Sequence, residues 1–372
     1  MNDAANADAL LAERLRERVG REGALTFREW MAAALYDERG GYYARRGRER
    51  WGRAGDYRTS AERSPLFAAA FARYFAALHE ESGAPHAWTI LEAGAGRGDF
   101  ARGVLETLKR NHPPLFSAVS YYVDEESADA RERVRARLAS FGGRVSFARL
   151  AELEPASFEG VIFSNELLDA LPVHRVRMRG GVLRELCVGV NADGAFEWVE
   201  REPSTPRLAS HFESCGVALG EGQEAEVNLE AEEWVTLAAS RLRAGYVVTV
   251  DYGAESQALY DPSGRPFGTL RAFRGHRFAD DPLADPGQQD LTTSVNWSQV
   301  RRAGERAGLS TVLFERQDEF LLRAGALEVL ERLTREAPDE AARARLALDA
   351  REMILPGGMA QSFQVLVQKR SC

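Results

Sequence analysis

The residues best able to do chemistry fall in short clusters, each at the end of a run that reads as a β-strand. The first is LEAGAGRGDF, residues 91–100, where Gly94, Gly96 and Gly98 follow an apolar run and precede a helical stretch. Glycines there permit a tight turn and let a ligand approach the main chain, while the helix start offers unpaired N–H groups and partial positive charge. The spacing is GxGxG; a dinucleotide fingerprint needs GxGxxG, and Asp99 stands where its third glycine would fall. Glu92, two residues before the first glycine, suits an ammonium group better than a pyrophosphate. These features favour S-adenosylmethionine over NAD as the cofactor, the plain alternative being a structural turn.

The second cluster is Asp124, Glu125 and Glu126, closing the next strand. Ligands of open α/β sheets bind outside the carboxyl ends of strands, where a carboxylate can accept both ribose hydroxyl hydrogens. Glu125 is the expected ribose ligand; the alternative is a set of solvated charges capping the next helix. The third is SNELLDALPVH, residues 164–174. Asn165, Glu166 and Asp169 put an amide and two carboxylates where a methyl acceptor would meet a sulfonium, and Pro172 turns the chain. Asn165 is expected to serve cofactor and transfer site alike. His174 reads as structural rather than as a base. GDYRTSAERSPLF, residues 55–67, adds Asp56, Thr59, Ser60 and Glu62, with Glu62 a further catalytic candidate against the alternative of a cap and turn. GTLRAFRGHRF (268–278) and DLTTSVNW (290–297) mix basic, aromatic and acidic residues as a substrate lid would, or as a surface insertion would.

These clusters need a scaffold. From Ala87 onward, short β-branched or aromatic runs alternate with helical stretches, which is the βαβ rhythm of a parallel sheet. The expected fold is α/β: a Rossmann-like sheet with helices on both faces, an N-terminal helical region and substrate-loop insertions. The boundaries read as 1–84 for the helical region with a substrate loop, and 85–372 for the sheet domain with insertions at about 186–226 and 254–297. Within the first region Thr26 and Glu29 form a capping box, and Ser64 with Pro65 starts a helix running to Glu81. Gly180-Gly181 joins two alternating strands as a hairpin.

The chain of 372 residues, 45% apolar and 28% charged, is that of a folded protein with a large core. Its 56 acidic against 48 basic residues leave a net charge of −8, which disfavours a main partner bound through phosphates, so nucleic acid is not expected. Only Lys109 and Lys369 are lysines, a bias assigned to coding composition. Cys187, Cys215 and Cys372 are odd in number and widely spaced, suggesting neither a disulfide framework nor a zinc site, and no metal is expected. No run of about 18 apolar residues could span a bilayer, and Asp3 and Asp8 argue against a leader peptide. A cytoplasmic location is expected; the oligomeric state is open.

Taken in order, LTFREWMAAALYDERGGYY, GDYRTSAERS, LEAGAGRGDF, VDEES, SNELLDALPVH, VDYG, GTLRAFRGH, DLTTSVNW and the final FQVLV resemble the MidA-like group of class I S-adenosylmethionine-dependent methyltransferases over nearly the whole chain. The resemblance implies that Gly94, Gly96 and Gly98 line the cofactor, that Glu125 meets its ribose, and that Asn165 to Asp169 stand at the transfer site. It also implies a protein-arginine acceptor, with a subunit of respiratory complex I as the candidate. The family tends to read HVDF where Ser294, Val295, Asn296 and Trp297 stand, and GDF.T.PE where Tyr57 and Ala61 fall, a departure that bears on the acceptor. Glu166 and Asp169 are the expected guanidinium clamp, with Glu62 and Asp251 in reserve. The rivals are a small-molecule or RNA methyltransferase, for which the arginine-rich stretch Arg45–Arg58 could meet phosphates, and a cofactor-binding assembly factor without essential catalysis.

Overall fold

A computed structural model describes residues 2–44, 64–275, 277–355 and 359–371. Glu62, with Asp56, Tyr57, Thr59, Ser60, Ala61 and most of the arginine-rich stretch, lies outside the described residues. Within them the chain builds two cores that meet at the site.

The main core surrounds a twisted sheet of β1 (Trp88–Ala93), β2 (Val119–Asp124), β3 (Val145–Phe147), β4 (Phe158–Asn165), β5 (Leu242–Ala254), β6 (Ser310–Arg316) and β7 (Phe363–Arg370). Their order is β3-β2-β1-β4-β5-β7-β6. All run parallel except β7, which is antiparallel to both neighbours. A short strand, Val295–Asn296, adds beside the end of β5. The near-continuous apolar runs GVIF in β4 and YVVTV in β5 are what a sheet covered on both faces requires. Alternate residues divide accordingly. Ile90, Val161, Phe163, Val248 and Val365 face α3 (Pro65–Glu81) and α4 (Asp99–Asn111), whereas Leu91, Ile162, Val247 and Leu366 face α6 (Leu229–Arg241) and α7 (Trp297–Arg306). The short α5 (Ala128–Arg137) follows β2. Phe163 stacks on Phe100 of α4 with ring centroids 4.2 Å apart, locking the helix that starts at the glycine turn against the sheet.

β4 and β5 approach closely at Gly160, which registers opposite Gly245. A Cβ on Gly160 would lie 1.8 Å from the Thr89 carbonyl oxygen, and its φ of +151° is itself a glycine conformation.

The second core joins α1 (Asn2–Glu22) and α2 (Phe27–Tyr36) to an antiparallel sheet. Its strands run Leu25–Thr26, Val182–Val190, His174–Arg179, Glu224–Val227, with Phe196–Arg201 pairing to Val182–Val190. The Gly180-Gly181 hairpin is its centre. Thr26 and Glu29 form the capping box, their side chains and backbone N–H groups bonding reciprocally at the start of α2. Phe27, Trp30, Met31 and Leu35 of α2 pack with Val173, Val188 and Leu291. The region read as one N-terminal helical unit is therefore divided: α1 and α2 belong to this accessory core, while α3 belongs to the main sheet. The reason is that α3 is apolar all round, as PLFAAAFARYFAAL, and needs burial between sheet and helices. Within the 254–297 excursion, Arg271–Arg274, Arg277–Phe278 and Asp290–Thr292 form a three-stranded sheet.

Candidate active site

The order of strands reverses direction between β1 and β4, which makes their carboxyl ends the topological switch point of the sheet, where ligands of such folds bind. A cleft of about 690 Å³ opens there.

The turn after β1 forms its floor. Gly94, Gly96 and Gly98 have φ of +72°, +54° and +77°, so all three need the left-handed region that glycine enters freely. Gly98 ends the turn as N-cap of α4, and a Cβ there would press to 3.2 Å of Val134. Glu92, Gly94 and Gly96 line the cleft, whereas Gly98, expected beside them, is not among its lining residues. Glu92 is 4% exposed and accepts a 2.6 Å hydrogen bond from the Tyr121 hydroxyl. Burial pushes its pKa up to about 8, against the pull of that hydrogen bond. A buried carboxyl of this kind gains by meeting a cation.

The three acids after β2 separate into different jobs. Asp124 accepts from the Leu150 N–H at 2.9 Å and pairs with Arg149 at 3.1 Å, so it ties the ends of β2 and β3 together. Glu126 meets the same guanidinium at 3.3 Å. Glu125 instead reaches back to the glycine turn, accepting from Gly96 N–H at 3.0 Å and Ser127 N–H at 2.9 Å. It lines the cleft with its neighbours, in position to exchange contacts with a ligand's hydroxyls.

The turn after β4 makes the opposite wall. Asn165 and Glu166 line the cleft, and Asn165 Nδ2 donates to Glu166 Oε1 at 3.1 Å. Asn165 Oδ1 is buried and has no hydrogen-bond partner among the described residues. Glu166 sits at φ +51°, uncommon outside glycine, with its N–H held by the Val250 carbonyl at 2.9 Å. Asp169 and Asp251 stand behind this wall and not among the residues lining the cleft. Asp251 is fully buried; its Oδ2 accepts from the N–H groups of Leu168 (3.0 Å) and Asp169 (3.3 Å), and its Oδ1 from Tyr252 N–H (2.8 Å). Burial, then the charge of Asp169, raises its pKa, and burial raises that of Asp169. Asp251 therefore anchors the turn that carries Glu166, which corrects its reserve role as a clamp: its oxygens are occupied by main-chain donors. Asp169 is directed toward Tyr252, whose hydroxyl bonds its carboxylate, and its Oδ1 has no hydrogen-bond partner among the described residues.

Two cleft residues escaped the sequence reading. Tyr36 and Tyr43 pack against the accessory core and also line the cleft. Trp30 and Tyr42 are fully buried. Trp234, Leu167 and Leu171 add an apolar patch, and Arg97, Arg131 and Arg149 are the basic lining residues. The signal that could have found the tyrosines is the glycine pair preceding Tyr42: Gly41 returns the chain onto α2, Tyr42 and Tyr43 N–H bonding Ala34 and Leu35 carbonyls. His174 pairs with Glu185 at 2.7 Å inside the accessory sheet, a structural role as read. In the SVNW segment, Asn296 caps α7 by accepting from Gln299 N–H, and Trp297 is buried against Gln364. Neither lines the cleft.

The left-handed glycine turn, the buried Glu92 and the unpartnered Asn165 oxygen fit a ligand that carries an amino group and hydroxyls. With the strand order and the single antiparallel β7, they define a class I methyltransferase architecture. Residues 70–314 match the family of S-adenosyl-L-methionine-dependent methyltransferases, and the chain belongs to that family. It is 29% identical to "Protein arginine methyltransferase NDUFAF7 homolog, mitochondrial" of Drosophila melanogaster, over 80% of this chain and 70% of that protein. The mouse protein of the same name is 26% identical over 94% of this chain and 82% of its own. A crystal structure of a superfamily member from Burkholderia thailandensis, bound to S-adenosyl-homocysteine, superposes with a TM-score of 0.88 at 30% identity, covering all of this chain and 94% of that one. The protein is an S-adenosylmethionine-dependent methyltransferase of the MidA-like group. Among the described residues no helix is long and apolar enough to cross a membrane.

Proposed function

We propose that the protein methylates a guanidinium nitrogen of an arginine on a protein substrate, a subunit of respiratory complex I being the candidate carrier. The observation that carries this reading is the placement of Glu166: a carboxylate on the cleft wall, held by Asn165 and by a main-chain tie to β5. Support comes also from the relatives' names, which specify arginine for those proteins.

In this reading Gly94, Gly96, Gly98, Glu92, Glu125 and Asn165 hold the cofactor. Glu92 takes its amino group, Glu125 its ribose hydroxyls, and Asn165 Oδ1 acquires the donor it lacks. When bound, the cofactor supplies an electrophilic methyl group on a sulfonium. The protein's task is then alignment, since in-line displacement depends chiefly on holding nucleophile, carbon and leaving sulfur in one line. Free guanidinium stays protonated above about pH 12, so a carboxylate must hold it and receive a proton as the new N–C bond forms. Glu166 takes that role. Asp169 supports the wall from behind.

Glu166→Gln keeps the size and the contact to Asn165 but removes the proton acceptor, so kcat should fall roughly 10²- to 10⁴-fold with cofactor affinity little changed. Unchanged turnover would remove Glu166 from the reaction. The acceptor itself is tested by transferring isotope-labelled methyl from S-adenosylmethionine into an extract that lacks the gene. A labelled arginine on a defined protein supports the reading and identifies the substrate; label recovered only in RNA or small molecules overturns it.

A further inference from the structure

Tyr36 and Tyr43 both line the cleft yet come from the accessory core, and their rings stack at 5.4 Å with 26° between planes. Tyr42 meets Tyr43 edge-on at 5.1 Å, which keeps the pair upright. Both hydroxyls act as donors into the protein: Tyr36 to the Ala170 carbonyl at 2.9 Å, Tyr43 to Asp290 Oδ1 at 2.8 Å. Hydroxyl donation thus goes to protein partners, leaving the ring surface as what the pair offers the cleft. Donation to a carboxylate also enriches the Tyr43 ring in electron density. The tie to Ala170 sets Tyr36 on the same turn that carries Glu166. Carboxylates share the cleft with the pair: Glu38, Glu125, Glu126 and Glu166 line it beside Arg97, Arg131 and Arg149, which engage Asp99, the Glu125 carbonyl, and Asp124 with Glu126, and Asp169 and Asp290 lie within electrostatic reach of the Tyr36 phenol.

An electron-rich aromatic face beside carboxylates attracts a cation, and a planar one can also stack. We propose that the Tyr36–Tyr43 pair is the surface on which the acceptor's guanidinium lies, holding its plane while Glu166 takes its N–H groups. The proposal rests on an arginine acceptor. It assigns these tyrosines to acceptor recognition, not to the cofactor, whose own sulfonium is the other cation that could meet them.

The test uses the full chain loaded with S-adenosylhomocysteine, which lacks the positive sulfur, and titrates Nα-acetyl-arginine amide against its neutral counterpart Nα-acetyl-citrulline amide. The arginine probe should bind and the citrulline probe should bind at least about 10-fold more weakly. Tyr36→Leu and Tyr43→Leu should each weaken the arginine probe about 3- to 30-fold. Tyr36→Phe and Tyr43→Phe should retain most of the affinity, and the ratio of S-adenosylmethionine to S-adenosylhomocysteine affinity should not move in any variant. Where a Leu variant does not fold, a tetrafluorinated phenylalanine at that position, which drains the ring face while keeping its shape, should give the same weakening. Equal binding of both probes, no binding of the arginine probe to the parent protein, or variants that bind it normally each overturn the proposal, as does a selective loss of S-adenosylmethionine affinity. None of these outcomes alters whether an arginine is labelled in the extract: failed probe binding with an arginine labelled strikes the tyrosine assignment alone, and failed labelling with the probe still bound strikes the arginine acceptor and this assignment with it.

Discussion

Glu92 is a carboxyl whose pKa burial raises to about 8, from an ordinary value near 4.5. Its folded form therefore keeps a proton that the unfolded chain releases, and its contribution to stability is full below about pH 4.5 and lost as pH rises toward 8. In the cofactor-free protein, Glu92→Gln should melt higher than the parent, by a margin that grows between those limits and then levels off. Cofactor binding should show the opposite trend, because an ammonium prefers the ionised acid. S-adenosylmethionine affinity should rise from pH 6 to a maximum at about pH 8, where the ligand's own amino group begins to lose its proton, and lose most of that slope in Glu92→Gln, as titration calorimetry across pH would show. Asp251 gives a second case at this scale. Removing its oxygens in Asp251→Ala strands three main-chain N–H donors in the interior. Unfolding titrations should show a loss of about 3 kcal/mol or more, and kcat should fall because Glu166 loses its anchored turn. The residue types at the glycine turn, at Glu125 and at Asn165–Glu166 were legible because each stands at a strand end with a spacing that chemistry explains. Asp251 was not separable from a clamp residue, since nothing in VDYG reveals that its side chain faces main-chain donors.

At the scale of elements, spacing was a reliable guide wherever it reported burial. The helix from Pro65 to Glu81 follows from Ser64, Pro65 and an apolar run, and Ser64 caps it through the Leu66 N–H. The hairpin around Gly180-Gly181 follows from alternation and a turn dipeptide. What spacing could not give was which core each helix joins. The apolar faces of α2 and α3 look alike as sequence, and the partner of α2 is a strand, Val182–Val190, more than a hundred residues away. Tyr36 and Tyr43 were not singled out for the same reason: nothing in ALYDERGGYY beyond its glycine pair shows that the chain returns onto the helix. That return depends on Gly41, where a Cβ would lie 2.4 Å from the Asp37 nitrogen. Gly41→Ala should displace Tyr42 and Tyr43 together. Methyl transfer to the acceptor should fall about 10-fold or more through KM. S-adenosylhomocysteine affinity, set by the main sheet, should stay within about twofold in calorimetry.

For the whole molecule, the cleft is where two separately built cores touch. The main sheet supplies Gly94 to Gly96, Glu125, Asn165 and Glu166; α2 and the segment after it supply Tyr36, Glu38 and Tyr43. The Thr293 N–H donates to the Asp169 carbonyl at 2.9 Å, so the excursion is tied to the same turn. A ligand in the cleft therefore steadies both cores. At about 100 times its dissociation constant, S-adenosylmethionine should add about 2.7 kcal/mol of stability, or roughly 3 °C in a chain of this length. Hydrogen exchange should slow in the β1–α4 turn with the cofactor and, once the arginine probe is added, in α2 as well; protection confined to the main sheet with both bound would separate the two cores functionally.

The antiparallel β7 has a consequence for synthesis. It lies between β5 and β6, so those two strands never pair with each other, and the seam between them is filled only by residues 363–370. A nascent chain that has emerged through Arg316 holds both strands with open edges facing a vacant slot. Such edges invite pairing with any extended peptide nearby. Translation through residues 317–362 is thus the interval in which this protein most needs a chaperone's shelter, and a ribosome stalled there would release a product with its sheet unzipped through the middle.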